Sequence, residues 1–481
     1  MNFDFIEQIP VFDTTFYRRL ITNPSIWLKP VLVAGMLLFS IALPFLPGQR
    51  YYIFLLGLVP GIFFTIALLR WPGLGLPALI VASLFVPFAI GTGTETSINA
   101  TIMLLSGLIG LWLLSVFVKR GQVNFVKSRT FRPLAIFLVV VVVAFFVGQL
   151  PWFSFARQTA SISAQLGGLF LFFLSAGAFF LVANQVKEIR WLELMTFAFV
   201  GLGGLFIAGW LLPGVGSISS RIFQFGAIDG GMFWTWLVAL AFSQALINTK
   251  LKWGWRFALG ITVAATLYVG YFLNSGWKTG YLPPLIVIIS IIILRSWRVG
   301  LLLVLGGIVV IPFLISDAIE TDQYSYSTRI EAGLIMGEMI RTSPILGFGP
   351  ANYYYFTPLF PIRGYAVEFN SHNQYIDIVA QVGFLGLLIL FWFLFEVGRL
   401  GFQLRKRVQS GFEEAYVYGA LGGLAGTLAA GMLADWFLPF VYNVGYTGFR
   451  ASVLAWIFMG GLVSLEVITR NRERSQEPSN S

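Results

Sequence analysis

The sequence has no cysteine and a single histidine in 481 residues. Disulfides, thiolate nucleophiles and thiolate metal centres are therefore excluded. A metal site would have to be assembled from carboxylates such as Asp317, Glu320 and Asp322, which read more simply as a solvated acidic run. No metal and no cofactor is expected. Charge is scarce as well: 11% of residues are charged, against roughly 25% in soluble domains. A chain this long with so few charges cannot solvate the surface of a soluble fold. Walker and dinucleotide-binding fingerprints are missing, and the "GLGG" of residues 201–204 reads as helix packing inside an apolar run. A cleavable signal peptide is not evident, because Arg18 and Arg19 interrupt a mixed N-terminal segment. The stretch "TTFYRRLI" around them reads as a short amphipathic helix on the membrane surface.

What the sequence does have is apolar: 57% of it, in blocks of about 18–24 residues, the length of a bilayer-spanning helix. A β-barrel would show short alternating segments instead. The predicted fold is all-α, a polytopic transmembrane bundle of about 14 spans. They are placed at 27–47, 51–69, 74–92, 98–118, 132–150, 165–185, 191–212, 227–247, 255–273, 281–295, 299–315, 373–395, 416–439 and 448–467. Residues 1–481 form a single membrane domain in this reading.

The net charge of +10 follows from topology and gives no reason to expect nucleic acid. With the N-terminus in the cytoplasm, 23 of the 31 basic residues fall on inner segments, the bias expected of cytoplasmic loops. An even span count places both termini inside. Residues 316–372 then form one long outer loop, rich in tyrosine, with short helices expected around 328–342; residues 468–481 read as a disordered cytoplasmic tail.

Eight cations remain outside: Arg50, Arg157, Arg221, Lys278, Arg329, Arg341, Arg363 and Arg450. Arg50, Arg157 and Arg450 fit contacts to lipid headgroups or salt bridges. Arg221, Lys278 and Arg329 lie in "GSISSRIFQFGAIDGG", "NSGWKTGY" and "YSYSTRIEAG". Hydroxyls and glycine amides beside a cation are the chemistry of phosphate binding. Asp229, Asp377 and Asp435 lie near outer span ends, either as salt-bridge partners of those arginines or in acceptor binding. The lone His372 stands at the threshold of the 373–395 span. It reads either as an interfacial, helix-capping residue or as a general base. Asn373 is placed to orient a ligand hydroxyl, and Asn370 or Ser371 to cap the helix. Tyr353, Tyr354 and Tyr355 suit sugar stacking or an interfacial belt.

In order along the chain stand Arg329, then "RTSPILGFGPANYYYF", then "SHNQYIDIVAQVGFLG". This succession of Arg, Pro-x-x-Gly-x-Gly, His-Asn-x-Tyr and Gly-x-x-Gly resembles the O-antigen ligase and polymerase superfamily of bacterial envelope glycosyltransferases. The resemblance centres on residues 328–386. It implies an enzyme of the bacterial inner membrane that moves a glycan from a polyprenyl-pyrophosphate carrier to an acceptor hydroxyl on the outer leaflet, without metal and with inversion. It also implies His372 as base or acceptor-orienting group, and Arg221 and Arg329 as pyrophosphate ligands. Lys278 stands where the family has a Ser-Arg-Gly-like element. Tyr375, Arg341 and Arg363 complete the candidate substrate-binding set. The acceptor is a glycan, a lipid-attached core or a protein. A transporter or flippase for lipid-linked glycans is the competing class; it would place charges near the midplane of repeated halves.

Overall fold

A computed structural model describes residues 72–91, 97–118, 125–156, 159–223, 226–308 and 323–476. The spans expected at 27–47 and 51–69, the segment "TTFYRRLI", and Arg50, Arg157, Asp317, Glu320 and Asp322 lie outside them. The chain divides into two compact units, Met1–Gly75 and Leu76–Ser481, and the elements below belong almost wholly to the second.

Helix α1 (Gly75–Phe85) leads to a small antiparallel pair, β1 (Ala89–Gly91) and β2 (Ser97–Asn99), with Ala89 opposite Asn99. There follow α2 (Ala100–Val118), α3 (Phe131–Val147), α4 (Ile162–Gln185), α5 (Ile189–Leu211), the short α6 (Pro213–Ile222), α7 (Gly231–Ile247), α8 (Trp253–Tyr268) and α9 (Leu282–Arg295). After α10 (Trp297–Ile308) come α11 (Gln323–Ile340), a 3-10 turn at Tyr353–Leu359, α12 (Gln374–Leu404), α13 (Phe412–Gly431) and α14 (Gly445–Gln476). Six helices among the described residues are long and apolar enough to cross a membrane. The molecule is a multi-pass helical membrane protein.

Helices α7, α13 and α14 form the centre. Their apolar stretches are buried almost all round within the protein. Gly419, Gly422, Gly423 and Gly426 share one face of α13 at helical spacing. A Cβ on Gly423 would lie 2.7 Å from the Trp236 ring, and one on Gly426 would lie 2.5 Å from Val287 Cγ2. The small face therefore lets α7 and α9 approach closely, as small residues do between membrane helices. On α14, Trp456 stacks with Phe437 at 4.4 Å and with Phe393 of α12 at 5.6 Å.

Three expectations are corrected. Residues 468–476 are helix, not disordered tail: Arg472 pairs with Glu413 at 2.7 Å and Arg407 with Glu473 at 2.6 Å, tying the end of α14 to the 405–413 turn. The span expected at 416–439 ends at Gly431; residues 432–443 are irregular. Arg450 does not reach the surface, where a headgroup contact would need it. It is buried, and its guanidinium donates to the carbonyls of Val86 and Phe88, at 2.6 and 3.4 Å, fixing the approach to β1.

Helix α12 is broken. Gly383 has φ 70° and ψ 178° within it, a conformation accessible in practice only to glycine. The turn Pro344–Ala351 fills the break. Phe348 N and Gly349 N donate to the freed carbonyls of Ala380 and Gln381, both at 2.9 Å. In return, Phe384 N and Leu385 N donate to the carbonyls of Pro344 and Ile345, at 2.8 and 3.2 Å. The Pro-x-x-Gly-x-Gly motif is thus the patch for the break that the Gly-x-x-Gly motif makes. Irregular backbone at this depth persists only where protein satisfies it.

Candidate active site

The upper half of α12 carries the His-Asn-Gln-Tyr sequence, and each residue of it faces a different neighbour. Asn373 caps the helix: its side-chain oxygen accepts from Tyr375 N and Ile376 N at 3.0 and 3.4 Å. Its Nδ2 donates to the Met432 carbonyl at 3.4 Å. The capping role expected of Asn370 or Ser371 belongs here, because only Asn373 stands directly before the first helical turn. Gln374 is buried and pins the irregular segment after α13, accepting from Phe437 N and Leu438 N at 3.0 and 2.8 Å and donating to the Leu438 carbonyl at 2.8 Å. Tyr375 donates its hydroxyl to the Leu428 carbonyl at 2.5 Å. Asn373 and Tyr375, expected at the substrate, both bond to backbone here.

His372 remains. It is half-buried and adopts φ 51°, a left-handed conformation uncommon outside glycine. The cause lies in its neighbours. Ser371 is held by Asp377, which accepts from its Oγ at 2.8 Å and its N at 3.4 Å, while Ser371 Oγ also accepts from Asn373 N at 3.0 Å. With both flanks fixed, the chain at His372 must turn sharply, and the ring is delivered into a cavity of about 480 Å³. Arg329, in the second turn of α11, lines the same cavity, and its Nη1 donates to the Leu433 carbonyl at 3.2 Å. Burial, and then the charge of Arg329, lower the His372 pKa from its usual 6.5. The imidazole is therefore neutral at pH 7 and able to accept a proton.

The other walls come from Tyr324, Ser325 and Thr328 of α11, from Tyr354, and from Glu368, Phe369 and Asn370 of the segment before α12. Tyr442 and Asn443, just beyond the segment that the sequence reads as the 416–439 span, line the cavity too. The proline and the Asp-Asn pair of "ADWFLPFVYN" were the available signal for that segment. Asp435 accepts from Phe440 N at 2.7 Å and from Asn443 Nδ2, folding the segment on itself.

The remaining candidates separate. Tyr353 is not a sugar platform: it is fully buried, and its hydroxyl donates to Asp377 at 2.8 Å. The side chain at the cavity is Tyr354. Asp377 and Asp435 are fully buried and serve hydroxyls and amides, not the salt bridges or acceptor contacts expected of them. Arg363 is engaged by Glu331 at 2.9 Å and lies over the Tyr324 ring, bracing a cavity wall. Arg341 is exposed at the end of α11, and neither it nor Arg221, exposed on α6, is among the cavity-lining residues. Lys278 donates to the Ser275 carbonyl at 3.0 Å. Its neighbour Trp277 meets Trp436 edge-on at 6.4 Å, so the Lys278 turn abuts the same 432–443 segment that Arg329 touches. Asp229 sits in the turn before α7, where burial raises its pKa.

Residues 232–391, from the first turn of α7 to the middle of α12, match the family model described as O-antigen ligase. The matched part contains Lys278, Arg329 and His372 and leaves Arg221 outside. The match spans about a third of the chain and agrees with the resemblance that the order of the motifs carries. No curated protein matches the chain.

Proposed function

We propose that the protein is an extracytoplasmic glycosyltransferase of the ligase type, taking a glycan from a polyprenyl-pyrophosphate carrier and joining it to an acceptor hydroxyl. The observation that carries this reading is the shared cavity of His372 and Arg329. His372 takes the acceptor proton as the oxygen attacks the anomeric carbon. The bond from that carbon to the pyrophosphate oxygen breaks, and its electron pair leaves with the lipid pyrophosphate. A single displacement inverts the anomeric centre. Arg329 stabilises the charge gathering on the leaving group, which fixed cations do without waiting for solvent to reorganise. Arg221 and Lys278 supply further positive charge where the pyrophosphate meets the membrane surface. The prenyl chain stays in lipid, so the reaction belongs at the membrane boundary.

In this proposal the chain has about 14 spans, with both termini in the cytoplasm of a bacterial cell and the cavity on the far side of the inner membrane. The reaction requires no metal. A polymerase of the same superfamily would use the same cavity with a growing glycan as acceptor.

The test is reconstitution with a polyprenyl-pyrophosphate-linked glycan and candidate acceptors. His372→Ala is expected to lower the transfer rate by about 10²–10⁴, the usual contribution of a positioned base, Arg329→Ala to cause severe loss, and chelator to have no effect. Movement of the donor between leaflets without glycan transfer would support the transporter reading instead.

A further inference from the structure

Beyond Arg329 and His372 the cavity changes character. Tyr354 and Tyr442 stack at 4.8 Å with their planes 16° apart, and both line the cavity with Glu368, Asn370 and Asn443. Thr357 Oγ1 accepts from Phe369 N at 3.1 Å and donates to the Tyr354 carbonyl at 2.7 Å. That bridge holds Glu368, one residue earlier, against the turn that carries Tyr354. Glu368 has no ion-pair partner among the described residues. Asn370 is buried, and its Nδ2 has no hydrogen-bond partner among them.

A pyrophosphate does not suit a wall with an unpaired carboxylate, and a prenyl chain does not suit carboxamides. A sugar ring suits both parts: its C–H face lies on an aromatic plane, and its hydroxyls donate to a carboxylate and accept from an amide. The cavity's volume falls in the roughly 300–1,000 Å³ range of small-molecule sites.

We infer that Tyr354, Tyr442, Glu368 and Asn370 form a sugar-binding subsite for the acceptor, distinct from the cationic part of the cavity that takes the lipid pyrophosphate. The inference rests on the transferase reading, since it is the proton acceptor His372 that makes the neighbouring sugar the acceptor rather than the donor. Tyr442 is then the platform, and Glu368 selects for sugars that present free hydroxyls and against anionic ones.

The experiment is saturation-transfer NMR on the full-length protein in nanodiscs, using neutral hexose and N-acetylhexosamine disaccharides and uronic-acid disaccharides as probes. Neutral disaccharides are expected to receive saturation from the wild type and from Tyr442→Phe, which keeps the ring. They are expected to receive none from Tyr442→Ala, and uronic-acid disaccharides are expected to gain contact in Glu368→Gln. In the transfer assay, Tyr442→Ala is expected to raise the acceptor KM by about tenfold and leave the donor KM unchanged. Absence of disaccharide contact with the wild type, or equal contact in Tyr442→Ala, overturns the subsite even where glycan transfer proceeds. Disaccharide contact that depends on Tyr442, in a protein that transfers no glycan, keeps the subsite and discards the transferase.

Discussion

Replacing Gly383 by alanine puts the helix break itself under test. A Cβ at this position would lie 1.9 Å from the Ile345 carbonyl oxygen and 2.4 Å from Leu346 N. Both are backbone atoms and cannot rotate aside. The φ of 70° adds a strain of about 1–3 kcal/mol for a residue with a side chain. If the turn withdraws, Phe384 N and Leu385 N lose the carbonyls of Pro344 and Ile345. A buried amide left unpaired costs about 1–3 kcal/mol. The total is upwards of about 3 kcal/mol, enough to matter in a protein whose whole stability is roughly 5–15 kcal/mol. Gly337, inside α11, is the control. There an added Cβ would meet nothing within 4 Å, and the gain in helix propensity is about 1 kcal/mol. The assay is the thermal midpoint of the detergent-solubilised protein, read beside the transfer rate. Gly383→Ala is expected to lower both, and Gly337→Ala to lower neither. A Gly383→Ala protein with wild-type midpoint and rate would refute the claim that the break, patched by residues 344–351, holds the upper half of α12 in place.

Further outcomes follow from the same geometry. Burial and the charge of Arg329 both disfavour the imidazolium of His372, so the neutral base persists to lower pH. The rate should therefore fall on acidification only below the ordinary value of 6.5. Arg329→Gln removes the repulsion, and the acid limb of its residual activity should move to higher pH; a pH–rate profile of both proteins checks this. Gln374→Ala frees three backbone groups of Phe437 and Leu438, and at about 1 kcal/mol for each bond the thermal midpoint should fall and the Tyr442 wall of the cavity loosen. Asn373→Ala removes the α12 cap at a cost of about 1 kcal/mol, while Asn373→Asp retains the cap; comparing the two midpoints separates capping from substrate contact.

Much of the fold was legible because membrane helices announce themselves by length and apolarity. The segments expected at 98–118, 132–150, 165–185, 191–212, 227–247, 255–273 and 281–295 overlie helices whose ends differ by a few residues, whereas α12 runs on past 395 to Leu404 and the end of the 299–315 segment lies outside the described residues. Where reading failed, polar residues inside apolar runs were decisive. Asp435, Pro439 and Asn443 lie in a stretch whose mean hydropathy masks them, yet they end α13 early and turn residues 432–443 into a wall of the cavity. Asp377 and Tyr353 looked available for substrate because charge and hydroxyl at an outer span end suggest function; burial shows that they serve each other. His372 and Arg329 are singled out by the order of the motifs, but that they line one cavity is visible only in the fold, because they stand far apart along the chain. Gly383 was visible as part of a motif, but only the left-handed backbone reveals that it breaks the helix. The helical tail through Gln476 depends on pairing Arg472 with Glu413, a long-range contact that composition does not reveal.

One histidine in the chain means one imidazole signal. Label histidine selectively, follow the ring carbon-bound proton by NMR in nanodiscs across the pH range, and repeat the titration with a polyprenyl pyrophosphate. The account predicts a midpoint below 6.5 for the free protein, and a shift to higher pH when the anion settles beside Arg329 in the same cavity, with the shift weakened in Arg329→Gln. A resonance that titrates unchanged in the presence of the lipid pyrophosphate would contradict it.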